Sequence, residues 1–297
     1  MYPLVAIVGP TATGKTQLAF RLANLLKSKL DISCSFVNAD AFALYKGFDI
    51  ISAKPTVQDI CSAKKNLGEN FEFCQLDVLN LEEISSVSVY QKKARKDIGK
   101  IQKLFRLPIV VGGSALYTNA LLDNIEFPAT NPEIRQKYNN LLDLKGKDYL
   151  YQLLAKKDFA SAKTLSSENV RRVVRALEVI ELTGKPFQAS LPKGDYFYKP
   201  TLVYAIKWPK DILEKRIYRR TVDMVEKGLV AEISQARQRA GKTARKAIGF
   251  AQTCDYLDGK INQKQLIDSI SLATFQLAKK QYKWFLRDKR IKWLEIV

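Results

Sequence analysis

Gly9-Pro10-Thr11-Ala12-Thr13-Gly14-Lys15-Thr16 matches the phosphate-loop pattern G-x-x-x-x-G-K-[ST] at every fixed position. The chemistry of that pattern is anion binding. Gly9 and Gly14 permit a tight loop whose backbone N–H groups converge, and the helix that follows adds positive potential at its start. Lys15 supplies a point charge between phosphates, and the Thr16 hydroxyl is a ligand for Mg²⁺. The chain contains no histidine. Proton transfer therefore falls to a carboxylate, Lys, Tyr or Cys, and every Ser/His or Cys/His nucleophile scheme is excluded. The four cysteines (Cys34, Cys61, Cys74 and Cys254) form no C-x-x-C pair, which indicates neither a zinc site nor a disulfide framework.

A nucleotide hydrolase would add a second apolar strand ending in Asp to hold the Mg²⁺ shell. The candidate strand, LPIVVGGSALY, ends instead in Gly112-Gly113-Ser114. The available carboxylate is Asp40, which closes the apolar run SFVNAD. In parallel α/β sheets the active crevice lies at the carboxyl ends of the strands. Asp40 therefore has two readings, a site carboxylate or the cap of a following helix. Ser114 would reach the same crevice.

Those residues need a scaffold. Apolar runs at residues 4–8, 35–38, 107–111 and 201–208 read as buried strands, and residues 16–27 between them carry a helical apolar face. The alternation gives an α/β fold, a P-loop NTPase-like parallel sheet flanked by helices. From about residue 119 to 199 the strand signal fades. NPEIRQKYNNLLDL and ENVRRVVRALEVIELTGKP read as helices, the second stopping at Gly184 before Pro186. Residues 119–199 are expected to form a small helical insertion in a core made of 1–118 and 200–297. The C-terminal part is expected to be mostly helical, with helices at 211–227 and 263–288.

The net charge is +19, from 49 Lys/Arg against 30 Asp/Glu. Residues 201–297 alone hold 21 Lys/Arg and 10 Asp/Glu. Such an imbalance favours a polyanionic partner, nucleic acid first. On the last helix Lys279, Lys280, Lys283 and Arg287 recur at helical spacing, either a phosphate-tracking stripe or a solvated face. No apolar run approaches the roughly 18 residues that span a bilayer. No membrane role and a cytoplasmic location are expected.

Seven stretches in colinear order resemble the bacterial-type tRNA dimethylallyltransferases, also called tRNA isopentenyltransferases. They are GPTATGKT, DAFALYKGFDIISAKP, VVGGSALY, ENVRRVVRALEV, RIYRRTVDMVEKGLVAEI, KAIGFAQ and LAKKQYKWF. The chain departs from the family's pattern in places. Ile51 and Ser52 stand where the family has Gly and Thr, Ser114 where it has Thr, and Lys280 where it has Arg. Phe73-Cys74-Gln75 replaces a histidine-containing tract, and Phe275 a frequent Arg.

The resemblance implies transfer of a dimethylallyl group from dimethylallyl diphosphate to N6 of adenosine-37, beside the anticodon of tRNAs reading UNN codons. It implies Asp40 as general base and N6 orienter, with Ser114 hydrogen-bonding the target nucleotide or Asp40. Gly9 to Thr16 would hold the diphosphate with Arg220, helped by Arg216 or Arg219, and Thr16 would carry Mg²⁺. The anticodon stem-loop would meet Asp40, Ala41, Phe42, Ala43, Ser114, Arg135, Arg171, Arg172 and Arg175. It would also meet Lys246, Ala247, Ile248, Gly249 and Phe250, and the stripe at Lys280 and Lys283. A monomer is expected. The alternatives are a P-loop nucleoside or nucleotide kinase, and a tRNA-binding P-loop protein without turnover.

Overall fold

The computed structural model describes residues 2–187 and 194–296. In chain order the elements begin with β1 (Leu4–Val8), α1 (Lys15–Leu30), β2 (Cys34–Asn38), α2 (Val57–Leu67), β3 (Phe73–Cys74), α3 (Val87–Lys103), β4 (Leu107–Val111) and α4 (Ala115–Leu122). Three helices follow: α5 (Pro132–Lys157), α6 (Phe159–Thr164) and α7 (Val170–Thr183). The chain then continues with β5 (Thr201–Lys207), α8 (Lys210–Glu226), α9 (Leu229–Ala236), α10 (Phe250–Leu257), α11 (Gln263–Leu286) and β6 (Lys292–Glu295). Two compact units result, Met1–Asp123 with Tyr196–Val297, and Asn124–Asp195.

The first unit is built on one sheet of order β3-β2-β4-β1-β5-β6, and every pair is parallel. Every residue of β1, β2 and β4 is buried. That explains why these strands read as continuous apolar runs and not as alternating ones. Parallel pairing brings the carboxyl ends of all three to one edge. The chain after β1 becomes the Gly9–Thr16 loop, after β2 it reaches Asp40, and after β4 it reaches Gly112-Gly113-Ser114.

Helix α1 buries Ala19 and Ala23 against the sheet. These small side chains let the helix axis approach the strands that carry the loop. Beside it Phe36 makes edge contacts with Phe71 and Phe73 at centroid separations of 5.1 and 5.3 Å. Phe36 and Phe71 are fully buried, and each such ring contributes about 1.5–3 kcal/mol.

The structure differs from the sequence expectation at the two sheet edges. β3 has only two residues, paired through Phe36–Phe73 and Val37–Cys74, and β6 adds a strand after the last helix, paired with β5 from Tyr204–Lys292 to Lys207–Glu295. Both owe their extended form to a neighbour distant in sequence, which no local pattern reports.

The second unit packs α5 on α7 around Tyr138, Leu150, Leu154, Val173 and Leu177. Helix α5 runs beyond the expected segment and is interrupted at Gly146, whose φ of 80° is left-handed. Helix α7 ends as expected at Gly184, with φ 65° and its N–H on the carbonyl of Ile180.

Candidate active site

The phosphate loop is held from three sides. Inside it, the Thr13 hydroxyl and the Lys15 ammonium both donate to the carbonyl of Pro10, at 2.9 and 2.6 Å. From α8, Arg220 donates to the Thr11 hydroxyl at 3.0 Å and Arg216 to the Ala12 carbonyl at 3.0 Å. Arg216 also stacks on Trp208, whose indole N–H donates to the Thr13 carbonyl. From α11, Gln281 accepts from the N–H of Thr11 and donates to the carbonyl of Gly113, each at 2.8 Å. Gln281 thus ties the loop to the end of β4. Gly14 caps α1 at φ 88°, a left-handed conformation that suits glycine.

The end of β4 is closely packed. A Cβ on Gly112 would lie 2.3 Å from the carbonyl oxygen of Ala39. A Cβ on Gly113 would lie 3.0 Å from the carbonyl of Gly9 and 3.4 Å from the Lys15 ammonium. Close backbone approach requires glycine at 112, so a hydrolase-type aspartate is sterically excluded there, and at 113 a side chain would need its neighbours to give way.

Asp40 sits on a turn shaped by the buried Asn38. The Asn38 amide donates to the carbonyls of Asp40 and Gln75 and accepts from the N–H of Asp40, each at 2.9 Å. No helix follows Asp40 before α2, so the helix-cap reading falls. Its Oδ1 accepts from the N–H of Phe42 at 2.9 Å. Of the two partners expected for Ser114, the target nucleotide or Asp40, the Asp40 carboxylate is not bonded to it; its hydroxyl accepts from the N–H of Ala41 at 3.0 Å. The serine therefore fixes the backbone of the turn that carries Asp40.

An open cleft joins these groups. Thr11, Asp40, Arg220 and Gln281 make one wall polar. Phe42, Ile51, Ile217, Met224, Ile248, Ile270 and Leu277 supply an apolar wall. Such a cleft can take an anion at one end and an apolar group at the other. Burial pushes the Lys15 ammonium down to about 8, with Asp40 opposing and Arg220 adding to the shift. Burial also lowers Arg220, again against the attraction of Asp40. Two buried cations beside one carboxylate make a site with an excess of positive charge, matched to a multiply charged anion. Among the described residues no group of three or more His, Cys, Asp or Glu is placed to hold a metal ion. The hard oxygen of Thr16, at the start of α1, suits a Mg²⁺ that takes its remaining ligands from phosphate and water.

The residues expected to meet nucleic acid differ in their exposure. Arg171, Arg172, Lys246, Lys280 and Lys283 are exposed. Arg135, also exposed, and the half-buried Arg175 pair with the fully buried Glu178, at 2.8 and 2.9 Å. Glu178 also accepts from the N–H of Asn131, and Arg175 donates to the carbonyls of Pro128 and Ala129. Both arginines thereby hold the segment before α5 against α7. Burial disfavours charge on Glu178, yet these donors win and hold its carboxyl below the usual range. Ala43, Ala247 and Phe250 have buried side chains, and Gly249 is buried too. Phe250 packs on Phe48, and Ala247 with Ile248 lines the cleft. Ala41 and Phe42 are half-buried beside Asp40.

A family model described as IPP transferase matches residues 43–289. The chain belongs to the IPP transferase family. A tRNA dimethylallyltransferase of Bifidobacterium adolescentis is 40% identical over 292 residues, covering 98% of this chain and 84% of that one. The tRNA isopentenylpyrophosphate transferase of Bacillus halodurans has a TM-score of 0.66 at 30% identity, covering 99% of this chain and 90% of that one. A eukaryotic dimethylallyltransferase acting on tRNA shares the fold, with a TM-score of 0.80 at 24% identity over 99% of this chain and 74% of that one. These are prenyl-transferring enzymes by name, and they favour neither the kinase nor the binder without turnover. No helix among the described residues is long and apolar enough to cross a membrane.

Sequence reasoning on this IPP transferase missed Gln281, Trp208, Asn38 and most of the apolar wall. Gln281 lies inside the quoted LAKKQYKWF stretch, and an uncharged polar residue among lysines on an otherwise amphipathic helix was the available signal.

Proposed function

We propose that this enzyme transfers the dimethylallyl group of dimethylallyl diphosphate to N6 of adenosine-37, next to the anticodon of tRNAs reading UNN codons. The observation that carries the reading is the cleft itself. It joins a phosphate loop, a carboxylate and an apolar wall, at a sheet edge where position 112 has no room for a hydrolase aspartate. The reaction breaks the C1–O bond of the donor and forms a C1–N6 bond. Asp40, the carboxylate among the residues that line the cleft, accepts the proton that N6 loses. Lys15, Arg220 and the loop N–H groups stabilise the charge that develops on the departing diphosphate. Thr16 would hold a Mg²⁺, which supplies further neutralisation of that diphosphate when bound. Lifting the adenosine from its loop stack into the cleft exposes N6 to the donor carbon. Arg171, Arg172, Lys246, Lys280 and Lys283 would contact the phosphates of the anticodon stem-loop. We place the enzyme in the cytoplasm, working as a monomer.

Asp40→Asn tests the assignment of the base. The amide keeps an oxygen for the N–H of Phe42, so the turn survives. Single-turnover prenylation is expected to slow by about 10²–10⁴-fold with the Kd for tRNA unchanged. Equal loss of rate and affinity would refute Asp40 as the base.

A further inference from the structure

The cleft has a long axis that α11 measures. Gln281, at the phosphate loop, and Ile270 both line it. Eleven residues of helix separate them by about 16 Å along the axis. Leu277 and Thr274 fall between. On α8 the lining likewise passes from Arg220 to Met224, one turn on. The hydroxyls of Ser52, Thr221 and Thr274 are also in the lining. The charged groups Asp40 and Arg220 lie toward the phosphate loop with Thr11 and Gln281, and Met224 and Ile270 lie farther along.

Ile51 belongs to that far end. A Cβ built on Gly249 would meet the Ile270 Cδ1 at 3.6 Å and the Ile51 Cγ1 at 3.6 Å, so the two side chains converge over one backbone position. Gly249 has φ 102° and leaves that floor bare. Ile51 is 6% exposed and packs in one cluster with Met224 and Ile270.

The loop that carries Ile51 has no regular structure of its own. Its backbone is gripped by a single carboxylate. Glu232, in the first turn of α9, accepts from the N–H groups of Asp49 at 2.8 Å, Ile50 at 2.7 Å and Ile51 at 2.9 Å. Three consecutive amides on one carboxylate fix the loop's position and also its rotation. The same loop is tied at its far side by the Lys54 ammonium, which donates to the Tyr45 carbonyl and pairs with Asp49 and Asp77.

We propose that Ile51, held in place by the Glu232 carboxylate, limits the length of the prenyl chain that the cleft admits. The inference rests on the prenyl-transfer reading and adds the determinant of donor size. Ile51 meets the apolar tail, and Glu232 is a positioning residue that acts through it. A donor homologue longer by one methylene at the far end would meet the Ile51 side chain. A misfit of one methylene in an apolar pocket typically changes selectivity about 10–200-fold.

The test compares kcat/KM for dimethylallyl diphosphate and for 3-methylpent-2-enyl diphosphate, its six-carbon homologue, on the same tRNA. The ratio of the two cancels any general loss of folded enzyme. Ile51→Ala is expected to raise the six- to five-carbon ratio about tenfold or more, and Ile51→Val to raise it less. Glu232→Gln, which replaces one acceptor oxygen with an amide donor, is expected to shift the ratio in the same direction. The double variant should exceed the larger single shift by little, because both changes act on one side chain. An unchanged ratio in Ile51→Ala, with dimethylallyl transfer intact in the parent enzyme, overturns the assignment to Ile51 alone. Additive shifts in the double variant overturn the role of Glu232 as its positioner. Absence of dimethylallyl transfer by the parent enzyme overturns both this inference and the reading on which it rests.

Discussion

Arg220 of α8 donates to the Thr11 hydroxyl across 3.0 Å, which plants a guanidinium from a distant helix on the phosphate loop. The two residues are far apart in sequence, and the contact sets the direction from which the loop's anion is held. Arg220→Lys keeps the charge but loses the planar fork. The variant is expected to lose about 10²-fold in kcat/KM for the prenyl donor, with tRNA affinity measured without donor unchanged. Steady-state kinetics with varied donor would decide it, and a loss below about threefold would remove Arg220 from the diphosphate site.

The lowered pKa of Lys15 predicts an alkaline limit. In the free enzyme Lys15 loses its proton near pH 8, from an ordinary value of 10.5. A diphosphate binds the ammonium and not the amine. The kcat/KM for the donor should therefore fall about tenfold per pH unit above pH 8, since this parameter reports the free enzyme. The fall is not unfolding. Between pH 8 and 10.5 the unfolded chain holds the Lys15 proton that the native chain has released, so this group's contribution to stability rises with pH. Lys15→Arg should be slower at pH 7 and should lack the limb. A parent profile flat to pH 9.5 would contradict the prediction.

The fold and the site were unequally legible in the sequence. The interior strands announced themselves because a parallel strand buried on both faces is a continuous apolar run, as in LVAIV and LPIVV. The phosphate loop was legible because its chemistry is local: one loop, one helix start. Asp40 could be placed at a strand end, but its turn could not, since Asn38 shapes it through a bond to the distant carbonyl of Gln75. Gln281 left only a weak trace, an uncharged residue among lysines, because its role exists only once α11 lies beside both Thr11 and Gly113. Arg135 and Arg175 show the converse. Their charge was plain in the sequence, but the buried partner that occupies it, Glu178, belongs to the packing of α5 and α7.

The basic face of α11 makes a prediction about salt. Lys280 and Lys283 are exposed one turn apart on the helix that also carries Gln281 and Leu277 into the cleft. If each neutralises one phosphate, the slope of log K against log salt should become shallower by about 0.7–0.9 for each lysine replaced by alanine. Filter binding of tRNA across a salt series measures it. Slopes equal to that of the parent enzyme would return these lysines to the solvent.

The central claim is that the phosphate loop releases a diphosphate whose carbon chain passes to RNA. The most direct test is the mass of the product. Unmodified tRNA reading a UNN codon is incubated with the enzyme, dimethylallyl diphosphate and Mg²⁺, then digested to nucleosides and weighed. The account predicts that one adenosine per tRNA, the one beside the anticodon, gains a single dimethylallyl group on N6. An unmodified adenosine, or a phosphate gained from ATP in its place, would contradict it.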